Sequence, residues 1–331
     1  MTMPRCALAL LLVALLLAVA AADASAAPIA LGEDLATSSF PEVGHCQPNG
    51  CTIVQLSLGG PGAPLVSPVN GAIVSWSIAG ATATPGYRVQ VLNRNGLTFT
   101  AVRASESGTP IGLSVETFPT SVPIAKGQYI GFEMPSTGTL AHRSGGSPSG
   151  EYWFNSGILA DGAMGTNPET AGAIGYSAVV QPAPTVSSLS ATSGSVTGGT
   201  AVTIAGTDLE GATAVSFGST PAKSFSVSNE TTISAVAPAS ASLAAVPVSV
   251  TTVAGTATST ATFSYQGCTV PKLKGKKLKA AKSSLKKAGC RLGKVTKKKG
   301  ASAKTGKVAK QGTAQGKLVA PGAKVNVTLA P

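Results

Sequence analysis

Apolar and polar residues alternate with a period of two through most of the first 265 positions, the signature of strands with one face buried. Val74, Trp76 and Ile78 fall on one face of the stretch from 71 to 78, with Ser75 and Ser77 on the other. Tyr87, Val89 and Val91 alternate with Arg88 and Gln90 in the same way. Similar stretches recur at 51–58, 98–105, 113–118, 129–134, 152–154 and 175–180, several of them separated by turn sequences such as Asn95-Gly96 and Lys126-Gly127. About eight short strands without intervening helices predict a two-sheet sandwich over residues 27–181, jelly-roll-like in its expected arrangement.

Two stretches break the alternation. Ala7 to Ala22 is continuously apolar, follows Arg5, and leads into Ala22-Asp23-Ala24-Ser25-Ala26, where small residues offer cleavage sites. This is the layout of a secretory signal peptide, assigned to residues 1–26. The run has 16 residues where a membrane span needs about 20, so no integral span is expected after cleavage. Further on, Leu278, Ala281, Leu285 and Ala288 are spaced at 0, 3, 7 and 10, one face of a helix that Gly289 can end.

Composition changes the picture through charge. Charged residues make up 11% of the 331 positions, and Gly and Pro are abundant at 39 and 22, which disfavours a helical protein. The net charge of +12 is unevenly placed: residues 268–331 hold 17 Lys and Arg291 with no Asp or Glu, whereas the rest of the chain sums to −6. Together with the Pro-rich link at Gln181-Pro182-Ala183-Pro184, this divides the chain into 27–181, 182–266 and 267–331.

The second region opens with Pro184-Thr185-Val186-Ser187-Ser188-Leu189 and Ser193-Gly194-Ser195-Val196-Thr197-Gly198-Gly199-Thr200. It continues with Val202-Thr203-Ile204-Ala205-Gly206-Thr207-Asp208-Leu209 and Ala214-Val215-Ser216-Phe217-Gly218. This resembles the IPT/TIG family from about 184 to 265, with Thr192 in place of a usual proline and Leu209 in place of a usual aromatic. The resemblance implies an immunoglobulin-like sandwich that acts as a spacer or binding module. The third region carries Val270-Pro271, Leu273, Gly275, Ala281, Leu285 and Ala288-Gly289, then Gly306-Lys307-Val308, Gln311 and Pro321-Gly322-Ala323-Lys324-Val325. It resembles a PASTA domain, a small α+β module attached in many bacteria to penicillin-binding proteins and surface kinases. The organisation as a whole resembles that of a secreted, modular, actinobacterial-type surface protein.

Past the signal segment four cysteines remain, Cys46, Cys51, Cys268 and Cys290, in a chain expected in an oxidising compartment. Of the three possible pairings, neighbours (Cys46 with Cys51, Cys268 with Cys290) keep each bridge within one region. Zinc is the rival reading, but the pairs lie far apart in sequence and neither is a C-x-x-C.

Catalytic chemistry is sparse. His45 and His142 are the two histidines, no G-x-S-x-G elbow occurs, and Gly300 to Lys307 imitates a phosphate loop with one residue too many between its glycines. A non-enzymatic protein without cofactor or metal is therefore expected. The loop from Asp161 to Glu169 is rich in oxygen ligands but departs from the EF-hand pattern, and a surface loop is the simpler reading. Tyr152, Trp153 and Phe154 alternate on a strand, so one of them could be exposed and stack on a sugar. Tyr152 and Trp153, with His142 and Arg143 as polar neighbours, form the candidate ligand site; the alternative is that both strand faces are packed. Lys276, Lys277, Lys297, Lys298 and Lys299 are the candidate polyanion contacts. Nucleic acid is not the expected partner, since residues 268–331 contain no aromatic residue on which bases could stack. Peptidoglycan or anionic wall polymers are, with a glycan as a further candidate for the first region, in a secreted or wall-associated protein. The alternatives are a secreted carbohydrate-active enzyme or accessory module in residues 27–181, and a purely structural spacer.

Overall fold

The structure is a computed structural model that describes residues 27–36, 40, 42–46, 48–58, 64–144, 151–166 and 169–331. Residues 1–26, where a signal peptide is expected, lie outside the described residues. A main hydrophobic core lies within each of the regions that charge and Pro content mark off.

The first region is a sandwich of antiparallel sheets. Its smaller sheet has four strands in the spatial order Ile29–Gly32, Tyr176–Pro182, Gly71–Ile78 and Glu116–Ile124. The larger has nine among the described residues, running from Met164–Thr166 through Thr98–Ala104, Arg88–Asn95, Tyr129–Met134, Cys51–Ser57, Glu151–Ser156, Glu169–Ile174 and Thr139–Ser144 to Glu42–His45. Leu31, Ile73, Trp76, Ile78 and Val180 of the small sheet meet Ile53, Val89, Val91, Ile130 and Phe132 of the large one. Trp76 is 1% exposed, stacks on Phe118 at 4.3 Å between ring centroids and meets Phe132 edge-on at 5.4 Å.

The alternation expected for Val74, Trp76 and Ile78 is interrupted at Val74. The pairing register shifts between Ile73 and Ser75 on the Gly71–Ile78 strand, so Ile73 enters the core and Val74 is only partly buried. A β-bulge adds one residue and moves everything before it to the opposite face.

A second, smaller core lies on the outer face of the large sheet. Val54, Leu92, Phe99 and Ala101 point away from the main core and are covered by the segment 157–163 through Leu159. That segment is tied down by backbone bonds from Gly157 to Gly50, from Gly162 to Ala101 and from Ala101 to Ala163. Gln90, a polar outward position by the alternation, is thereby fully buried.

Residues 184–265 form an immunoglobulin-like sandwich. One sheet is ordered Thr185–Leu189, Ala201–Thr207, Thr232–Val236, Ser224–Asn229; the other Ser193–Ser195, Gly255–Gln266, Ala245–Thr252, Ala214–Phe217, Thr220–Pro221. Val202, Ile204, Val215 and Phe217 face inward as their alternation predicts, joined by Phe263 and the fully buried Leu209. The turn after Ser193–Ser195 needs glycine: Gly198 has φ +74°, and a Cβ there would lie 2.7 Å from the Ala239 nitrogen.

The third region packs the helix Leu278–Lys287 on a three-stranded sheet, in which Lys324–Ala330 lies between Arg291–Lys297 and Lys307–Gln311. Ala281 and Leu285 of the helix are buried against Leu273, Val308, Val325, Val327 and Leu329. The helix has Lys286 and Lys287 in its last turn, where cations suit the helix dipole, and Gly289 follows in the left-handed conformation at φ +76°. Both disulfides join sequence neighbours, Cys46 to Cys51 and Cys268 to Cys290, each with Cα atoms 5.4 Å apart. Cys268 begins the short strand Cys268–Thr269, which pairs with Leu318–Val319; Leu318 packs on the core of the preceding sandwich.

Candidate functional site

Two places in the molecule gather charge. The first is one end of the sheet in the third region. The register sets Lys297 opposite Leu329 and Leu329 opposite Val308, while Lys307 pairs with Lys277 and the Lys276 carbonyl accepts from the Val308 N–H. The Arg291–Lys297 strand, its two sheet neighbours and the 276–277 segment therefore lie side by side, about 15 Å across at ~4.8 Å per strand. Lys276, Lys277 and Lys307 stand at one side of this end and Lys297, Lys298 and Lys299 at the other, so all five lysines singled out in the sequence share it. All seventeen lysines of residues 268–331 are exposed, with no Asp or Glu side chain in the region to pair with them. What lysines on flexible stems can do chemically is hold several phosphate or carboxylate groups at once, with little demand on geometry.

The second place was not singled out in the sequence. A cavity of about 560 Å³ opens on the outer face of the first sandwich, beside the segment 157–163, and Arg88, Glu106, Glu133 and Asp161 line it. Strand pairing explains why two of them meet: Arg88 lies opposite Glu133 on the neighbouring strand. The Arg88 guanidinium is 3.8 Å from Glu133 Oε2, with the arginine side chain 46% exposed and the glutamate 4%. Gln90 Nε2 donates to Glu133 Oε1 at 2.9 Å and to the Leu159 carbonyl at 2.6 Å, which ties the cavity floor to the covering segment. Thr52 Oγ1 accepts the Leu159 N–H at 2.9 Å. Burial pushes the Glu133 carboxyl up to about 7; Arg88 opposes the shift and Asp161 adds to it. Gln90 Oε1 is buried without a hydrogen-bond partner.

The residues of the ligand site expected around Tyr152 lie on two strands of the large sheet. Tyr152 is half-buried and packs on the main core, and burial raises its phenol above the usual range. Trp153 and Phe154 belong to the Glu151–Ser156 strand, but their side chains lie outside the described residues, as does the loop 145–150. His142 and Arg143 sit on Thr139–Ser144, which is separated from the Tyr152 strand by Glu169–Ile174. As consecutive strand residues they leave opposite faces. Arg143 stands over the Phe40 ring at 5.9 Å, and His142 lies against Gly44. Asp161 of the oxygen-rich loop belongs to the cavity, whereas Asn167 and Pro168 lie outside the described residues. Among the described residues no group of three or more His, Cys, Asp or Glu could hold a metal ion, and no helix is long and apolar enough to cross a membrane.

Folds and charge together define a modular, mainly β protein with a disulfide-stapled basic α+β module at its C-terminal end. Residues 184–265 match the family of the IPT/TIG domain and residues 269–331 that of the PASTA domain. The chain carries these two domains in tandem, after a β-sandwich that neither match covers. No curated protein matches the chain. A solved structure of the plexin A4 full extracellular region is 14% identical in sequence, at a TM-score of 0.25, with 70% of this chain and 19% of that one covered. This chain thus spans about a fifth of that structure's length.

Proposed function

We propose that the protein is exported through the signal segment at residues 1–26 and works outside the cell as a non-enzymatic binding protein of the envelope. The PASTA domain is its contact with peptidoglycan or anionic wall polymers, and the first sandwich faces away from the wall. One observation carries this reading: a PASTA domain whose seventeen lysines are all exposed and unopposed by any acidic side chain. Such a field attracts polyanions. The two disulfides and the PASTA domain fit an extracellular setting. The IPT/TIG sandwich holds the two ends apart.

The test is sedimentation of the full chain with purified bacterial walls before and after their anionic polymers are stripped, next to a chain ending at residue 266. Retention that depends on both residues 267–331 and the polymers supports the proposal; equal retention of the shortened chain overturns it. The carboxylates of the first-domain cavity favour a second reading, hydrolysis of a glycan. Glu133, however, is held by Gln90 and almost fully buried. A carboxyl held in this way is poorly placed to reach a leaving group as a general acid must. Release of reducing ends that E133Q abolishes would favour the enzyme.

A further inference from the structure

We propose that the cavity above Glu133 is a binding site for a protonated amine carried on a sugar-sized polar scaffold. The cavity volume of about 560 Å³ falls within the range of small-molecule sites. Charge gives the sign of the ligand. Glu106, Glu133 and Asp161 line the space against the single guanidinium of Arg88, so the cavity is net negative when its carboxylates are ionised. Arg88 is half-exposed.

The floor gives the kind of group. Glu133 is 3% exposed and accepts one short hydrogen bond, from Gln90, while its second oxygen has the Arg88 guanidinium only at 3.8 Å. Gln90 lies beneath the floor and gives its amide hydrogens to Glu133 and to the Leu159 carbonyl, which holds the carboxyl in place. A nearly buried carboxylate that lines an acidic cavity, with one oxygen bonded to Gln90 and the other reached only by Arg88 at 3.8 Å, suits a ligand that brings several N–H groups and a positive charge, as an ammonium does. The polar mouth, with Glu106, Asp161 and Arg88, suits hydroxyl groups on the remainder of the ligand. Leu159 closes one side, fixed by its bonds to Thr52 and Gln90 and by its place in the outer core.

Titration links binding to pH. The Glu133 carboxyl, pushed up to about 7 by burial, is largely protonated in mildly acidic solution and cannot then neutralise a cation. An ammonium beside it stabilises the ionised form, so the two events favour each other. Affinity should rise from about pH 5 to about pH 7 as Glu133 loses its proton. The site lies in a different domain from the wall contact and has the opposite charge, so the two proposals stand or fall separately.

The test uses the full chain with D-glucosamine as probe and N-acetylglucosamine as its uncharged counterpart, followed by NMR of carbon-13-labelled glutamate side chains. The expected result is saturable binding of glucosamine that shifts the Glu133 resonance and strengthens over that pH range. N-acetylglucosamine should bind at least about ten-fold more weakly, and E133Q should weaken glucosamine by a similar factor. E133Q keeps an oxygen to accept from Gln90 and so preserves the floor; D161N, at an exposed position, should weaken binding with the fold intact. No saturable glucosamine binding, equal binding of the two sugars, or undiminished binding to E133Q would each overturn the proposal.

Discussion

Glu133 shows how one side chain couples sequence, burial and pH. Its ordinary pKa of 4.5 is pushed up to about 7 because the large sheet and the segment 157–163 remove water from it. A carboxyl with a raised native pKa binds its proton more tightly in the folded state. The resulting stability is present in full below the unfolded value and is lost as pH rises through 7. At about 1.4 kcal/mol per pH unit, the loss is on the order of 3 kcal/mol. E133Q, which cannot ionise, should therefore be more stable than the parent at pH 8 and about equal to it at pH 5. Denaturant titrations at the two pH values check this, and a parallel pH dependence in both proteins would contradict it. Trp76 behaves as the sequence suggests: at 1% exposure, packed on Phe118 and Phe132, its replacement by Ala should cost about 3–5 kcal/mol by the same measurement.

At the scale of elements, period-two patterning revealed the inner faces and missed the outer ones. Val89 and Val91 were readable as core because one buried face leaves a plain alternation. Gln90 looked like an outward polar residue, and so it is; what local pattern could not show is that the segment 157–163, some seventy residues later, folds over it. The local sign of that cover is Ile158-Leu159 within an otherwise Gly- and Ala-rich stretch. Arg88 and Glu133 were equally invisible as partners, because nothing in either strand announces the register that sets them opposite one another. The bulge near Val74 defeats strict alternation for a similar reason. Leu159 is the keystone of the covering segment, since it both fills the outer core and hydrogen-bonds to Thr52 and Gln90. Leu159→Ala should destabilise the domain by about 2 kcal/mol, at the low end for a buried leucine because this core is small. Hydrogen exchange should quicken at 157–163 while the amides of Gly71–Ile78 stay protected; uniform loss of protection would mean the two cores unfold as one.

Across the whole molecule, the IPT/TIG and PASTA domains were legible because their motifs fix glycines and apolar positions at set spacings, and the structure fills them with turns and core residues. The join between them was not. Leu318 belongs to the PASTA sequence yet packs on the IPT/TIG core, and Gly267 lies so close to Val196 that a Cβ there would approach its Cγ2 to 2.8 Å. Leu318→Ser should thus lower the melting temperature of the IPT/TIG domain as well as the PASTA domain, as read by calorimetry. The lysines at the sheet end bear on the central claim, wall association by a mobile cationic surface. The most direct measurement is the affinity of the full chain for purified walls as a function of salt, beside a variant with Lys276, Lys277, Lys297, Lys298 and Lys299 changed to Gln. Screening shortens from about 8 Å at physiological ionic strength to about 3 Å in 1 M salt. Binding of the parent should fall steeply with salt and that of the variant should be weaker and flatter; binding indifferent to both salt and these lysines would rule out electrostatic wall association.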